Sequence, residues 1–141
     1  LAGPLTPSVA FNDHTSMALL HPDVALQERP FDLAPGFPVA DLDSPAFAAR
    51  MADRARRAGM PLDAFVDLVR AVWARRPEVQ GWIEDVAARA RAAGAPMLSH
   101  DDTQAATRGW FRALGATICE FPMNRRTAVF ARDGGDAIVL G

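Results

Sequence analysis

The chain has no lysine and no tyrosine; all 15 of its basic residues are arginine. Without lysine there is no Schiff-base or lysine-nucleophile chemistry, and no carboxylated lysine to bridge two metals. A lone cysteine, Cys119, excludes an internal disulfide and fits a reducing, cytoplasmic setting. No apolar run approaches a membrane-spanning length, mean hydropathy is +0.00, and no basic segment followed by an apolar one opens the chain as a secretory signal would. There is also no net positive charge. At a formal charge of -2, with arginines interleaved among Asp and Glu, nucleic acid is not an expected partner, and neither is a membrane.

What is present is 141 residues, 50% of them hydrophobic, enough for one sizeable core. Pro7 to Phe11 is a short apolar strand running into Asn12-Asp13-His14-Thr15. Residues 20–45, with Pro22, Pro30, Pro35, Pro38 and Pro45, read as a loop. Ser44-Pro45 supplies a cap and a first helical residue, and Gly59 a stop, so a helix is predicted over 46–58. A second helix is expected from about Leu62 to Arg75, with Phe65, Leu68, Val69, Val72 and Trp73 at helical spacing. A third is expected from Pro77 to Gly94, with Trp82, Ile83, Val86 and Ala90 on one face.

From Ala95 the pattern becomes strand, polar end, helix. Strands are predicted at Ala95–Ser99, Ala116–Cys119 and Ala137–Leu140, and helices at Thr103–Leu114 and Pro122–Arg132. Such alternation means parallel strands joined by right-handed crossovers. The expected fold is α/β, a partial (β/α)8 TIM-type barrel with a helical insertion. As one domain it divides into strand and site loop (1–19), Pro-rich loop (20–45), helical insertion (46–94) and β/α repeats (95–141). A first residue that is not methionine, and strands whose edges want partners, lead us to expect a chain cut from a larger protein, with homo-oligomerisation as one way to cover the edges.

His14, His100 and Glu120 each follow a different strand directly, and in a parallel barrel those ends open on the face that holds the active site. His14 and His100 are the candidate metal ligands, suited to a divalent ion such as zinc or manganese. Asp13, Asp101 and Asp102 stand next to them as groups able to orient the rings, and Asp101, Asp102 and Glu120 are the candidate acid–base residues. Two distant histidines form no ligand motif by spacing, and a single His after a strand is more often a satisfied loop or core residue. His21, beside Pro22, has less to recommend it. Cys119, inside an apolar strand, reads as a small core residue rather than a nucleophile. Arg-rich faces such as Arg54-Ala55-Arg56-Arg57 read as solvated surface.

Four words in order carry a resemblance: Val9-Ala10-Phe11-Asn12-Asp13-His14-Thr15, Pro96-Met97-Leu98-Ser99-His100-Asp101-Asp102-Thr103, Gly115-Ala116-Thr117-Ile118-Cys119-Glu120-Phe121-Pro122 and Ala137-Ile138-Val139-Leu140-Gly141. Together they resemble the second half of the alpha-D-ribose 1-methylphosphonate 5-triphosphate diphosphatases of the carbon–phosphorus lyase pathway, a family of the amidohydrolase superfamily. The resemblance implies a metal-dependent hydrolase on a (β/α)8 barrel, with His14 and His100 as the ligands after the fifth and sixth strands. It implies a small phosphorylated substrate, a triphosphorylated ribosyl phosphonate split with release of pyrophosphate. It also implies a bound metal that acidifies the attacking water. The family's histidine pair after the first strand and aspartate after the last fall outside this chain, so the fragment alone is expected to be inactive. Two departures fall where substrate is expected: Ser16-Met17-Ala18-Leu19-Leu20 replaces a Pro-Gly-Gln-Arg-Gln-like stretch, and Met123-Asn124-Arg125-Arg126 replaces small hydroxyl residues. Arg125 and Arg126, at a helix start, are the candidate substrate-phosphate ligands. The competing expectations are a metal-free, non-catalytic α/β binding or structural domain, or an interaction module whose arginines meet an acidic partner.

Overall fold

The computed structural model describes residues 7–12 and 43–140. Strand β1 (Val9–Phe11) is followed by helices α1 (Pro45–Arg57) and α2 (Leu62–Ala74), a 3-10 turn (Arg76–Glu78) and α3 (Val79–Ala92). Then come β2 (Met97–His100), α4 (Ala105–Ala113), β3 (Ile118–Glu120), α5 (Arg125–Asp133) and β4 (Ala137–Val139). The strands form one parallel sheet in the order β1-β2-β3-β4, each neighbour being the next strand in sequence. The α/β architecture is therefore as the alternation predicts.

Helix boundaries follow local chemistry. Ser44 Oγ accepts from Phe47 N–H at 3.1 Å and Pro45 opens α1 where its missing N–H is not needed. Asn124 Oδ1 caps α5 by accepting from Thr127 N–H at 2.9 Å. Gly115, which closes α4, has φ +98, and an added Cβ would meet Met97 Cε at 3.0 Å and Arg91 Cδ at 3.2 Å. Glycine is needed there on both counts.

One sheet face carries Phe11, Met97, Ser99 and Cys119, all buried. Against it lie α3 through Ala87 and Ala90 and α4 through Phe111, whose ring stacks on Phe11 at 5.6 Å. Helix α5 packs beside α4. The opposite face presents Ala10, Leu98, Ile118, Ala137 and Val139, exposed or half-buried, with no helix upon it among the described residues. Helices α1 and α2 make a separate small core of Phe47, Met51 and Val66, flanked by Phe65, Val69 and Trp73.

Two helix faces differ from expectation. In α3 the contact stripe is Ile83, Ala87 and Ala90, while Trp82 and Val86 remain exposed. Alanine lets the helix approach the sheet closely, so its small residues, not its bulky ones, mark the buried side. In α2, Leu68 and Val72 are likewise exposed and Val66 is the buried residue. Helix α3 thus belongs to the sheet's layer, and the part of 46–94 with its own core is the α1–α2 pair.

Candidate functional site

At the carboxyl ends of β1, β2 and β3 the polar residues separate onto the two sheet faces. His100 is in register with Glu120, and both are half-buried on the open side. Asn12, just past β1, reaches the same place: its Nδ2 lies 2.9 Å from His100 Nδ1. The Asp101 carboxylate lies 2.8 Å from that same Nδ1. The Phe121 ring stands edge-on to the imidazole, with centroids 5.1 Å apart at 66°.

Backbone conformation makes this possible. Asp101 (φ 61) and Phe121 (φ 49) are the positive-φ non-glycine residues among those described, and each immediately follows a strand. Both keep the ladder running, Asp101 N–H donating to Glu120 O at 3.0 Å and Phe121 N–H to Val139 O at 2.9 Å. Left-handed non-glycine residues cost free energy and gather at functional sites. Here each turns a side chain back beside His100.

The same turn sends Asp102 inward, away from His100. Asp102 is 2% exposed, accepts from the Ser99 hydroxyl, and stands 3.6 Å from both Arg108 Nη1 and Cys119 Sγ. Burial pushes its carboxyl above the ordinary range, opposed by the Ser99 hydrogen bond and the Arg108 charge. Burial first, and then the Asp102 charge, push the Cys119 thiol up to about 12. Cys119 is a protonated core residue, not a nucleophile.

Arg108 is fully buried and was invisible as such in the sequence. It donates to Ser99 Oγ, to Ala116 O and, at 3.2 Å, to Ile118 O. Its Nε lies 2.9 Å from Asp136 Oδ2, a charge contact whose angle does not make it a hydrogen bond. Asp136 also binds Arg112, whose Nη2 donates to Oδ2 at 2.6 Å and whose Nε reaches Oδ1 at 3.0 Å. Two arginines and two aspartates so form a neutral group that ties α4 to β3 and to the start of β4.

Of the residues singled out by sequence, the structure brings together His100, Asp101 and Glu120. Asp102 is not among them. Arg125 and Arg126 are exposed on the first turn of α5, neither paired with a carboxylate among the described residues. His14 and His21 lie outside the described residues. Asn12 was missed as a site residue, although it stands in the quoted Asn-Asp-His word. Among the described residues no three His, Cys, Asp or Glu side chains gather as a metal-holding group, and no helix is long and apolar enough to cross a membrane. A cavity of about 520 Å³ lies elsewhere, between α1 and α2, lined by Asp43, Asp63, Asp67 and Arg70 among others. Comparisons with family models, with curated proteins and with solved structures find no match.

Proposed function

We propose that this chain is part of a metal-dependent hydrolase acting on a phosphorylated ribosyl substrate, built on a (β/α) barrel of the amidohydrolase type. The observation that carries the reading is the meeting of His100, Glu120 and Asn12 at the carboxyl ends of three adjacent parallel strands. That edge is where such sheets place their chemistry. Support for a barrel comes from the consecutive strand order with helices packed on one face, which leaves the other face to be an interior.

The described donors fit part of a metal site. His100 offers one imidazole nitrogen while the other is anchored, and Glu120 offers an oxygen; His14, two residues beyond Asn12, is the further ligand in this reading. Zinc or manganese suits nitrogen with carboxylate. When bound, the ion supplies Lewis acidity toward water and phosphate oxygen. Glu120 accepts the proton as water attacks phosphorus, the phosphoanhydride P–O bond breaks, and pyrophosphate leaves with the bonding pair. Arg125 and Arg126 hold the leaving phosphates through their planar guanidinium forks, and Phe121 shields one side of the imidazole.

Titration with Zn2+ and Mn2+, followed by assay of pyrophosphate release from a ribosyl triphosphate, tests this. Stoichiometric uptake that is lost in both His14→Ala and His100→Ala variants is the expected result. A wild-type protein that takes up neither ion favours the other reading, a metal-free binding domain, to which the lack of a three-ligand group among the described residues already lends weight.

A further inference from the structure

His100 Nδ1 has two close polar neighbours that ask opposite things of it. Asp101 Oδ2, at 2.8 Å, can only accept, so it requires a proton on Nδ1. Asn12 Nδ2, at 2.9 Å, can only donate, so it requires a bare Nδ1. One nitrogen cannot satisfy both. Asn12 also carries the remedy. Its Oδ1 is buried with no hydrogen-bond partner, and a half-turn of the amide, whose two ends have nearly the same shape, would bring that oxygen to Nδ1. Asp101 has no such alternative: with Nδ1 bare, its carboxylate would face a lone pair. The charged acceptor prevails, since charge-assisted hydrogen bonds are about twice as strong as neutral ones.

We propose that Asp101 and Asn12 are positioning residues that hold His100 as its Nδ1–H tautomer, leaving Nε2 bare as the reactive nitrogen of the site. The assignment rests on the metal-hydrolase reading only for what Nε2 then does, which is to bind a divalent cation. The rest follows from the contacts. Asp101 holds its left-handed turn, which places the carboxylate beside its own neighbour's ring rather than along the strand. Phe121, in a second left-handed turn, closes on the ring from β3. Three strand ends so fix one imidazole, whose side chain remains 26% exposed. A carboxylate behind a histidine fixes the ring and raises its basicity toward a metal.

The test is the tautomer itself, read in the 141-residue chain labelled with nitrogen-15 at histidine. Long-range proton–nitrogen correlation at alkaline pH distinguishes a protonated ring nitrogen from a bare one. His100 is assigned among the three histidines by the signals lost in His100→Gln. The expected wild-type pattern has Nδ1 protonated and Nε2 bare. Asp101→Gly keeps the left-handed backbone while deleting the carboxylate, so it should move His100 toward the Nε2–H form and weaken Zn2+ binding by about 10- to 100-fold, the usual cost of losing such a partner. Asp101→Asn, which retains an acceptor oxygen and tolerates the same backbone, should keep the tautomer. A wild-type His100 protonated at Nε2, or an unchanged tautomer in Asp101→Gly, overturns the proposal. A wild-type protein that shows the expected tautomer but binds no Zn2+ supports the positioning assignment and overturns the metal reading of the site.

Discussion

Arg108 is the residue on which most of the buried polar groups depend. Replacing it with alanine leaves Asp102 and Asp136 in the core with a lost partner, and breaking a buried pair from one side costs about 3–5 kcal/mol. Urea unfolding should show that loss, and Asp102→Asn should lose less. The pH profile separates the two carboxylate states. Because the folded Asp102 pKa is raised, its contribution is fully present below its ordinary pKa of 3.8 and is lost as pH rises through the folded value. Asp102→Asn should therefore be most nearly neutral at the upper end of that window, measured as the difference in unfolding free energy across it. Cys119 should react with thiol reagents only as fast as the protein opens, since its thiol is buried and raised to about 12. At the surface, Arg125→Ala or Arg126→Ala should weaken binding of a polyphosphate by about 1.5–3 kcal/mol if these residues hold phosphate. Calorimetry with inorganic triphosphate reads that directly.

Elements were legible in sequence where punctuation was strong. Ser44-Pro45, Gly59, Gly94, Gly115 and the Gly134-Gly135 pair bracket the helices close to where they lie, and the strand ends carrying His100 and Glu120 are in register as alternation implies. What could not be read is which way Asp101 and Asp102 point. Strict period-two alternation would put Asp102 beside His100 and turn Asp101 toward the helices; one left-handed residue reverses that order. Arg108 was hidden for another reason: arginine is rarely buried, and its partner Asp136 is 28 residues away. Helix α3 misleads through size, because Ala87 and Ala90 make the contact while Trp82 does not. Trp82→Ala should then change stability by less than about 1 kcal/mol, whereas Ala87→Leu should cost about 1–3 kcal/mol by overpacking. Thermal unfolding of the two variants checks the assignment. Gly115→Ala joins them at about 1–3 kcal/mol, from positive φ and contact with Met97 and Arg91.

At the scale of the molecule, the feature that most constrains behaviour is a parallel sheet dressed on one side. Parallel sheets are stable when both faces are covered. Here Ala10, Ala137 and Val139 remain exposed on the second face, and Leu140 is 72% exposed beyond β4. The isolated chain should therefore self-associate as concentration rises, seen by light scattering, and Val139→Lys should reduce that association.

The fastening of β4 has a thermal consequence. This strand buries little apolar surface, and Asp136 at its head is gripped by Arg108 and Arg112. The cost of stripping water from such charges falls on warming, while the gain from apolar burial levels off. Heat should then loosen the α1–α2 pair, held by the three buried side chains Phe47, Met51 and Val66, before it releases β4 from α4. The chain carries two joints of opposite temperature character, and on heating it is the oily one that yields first.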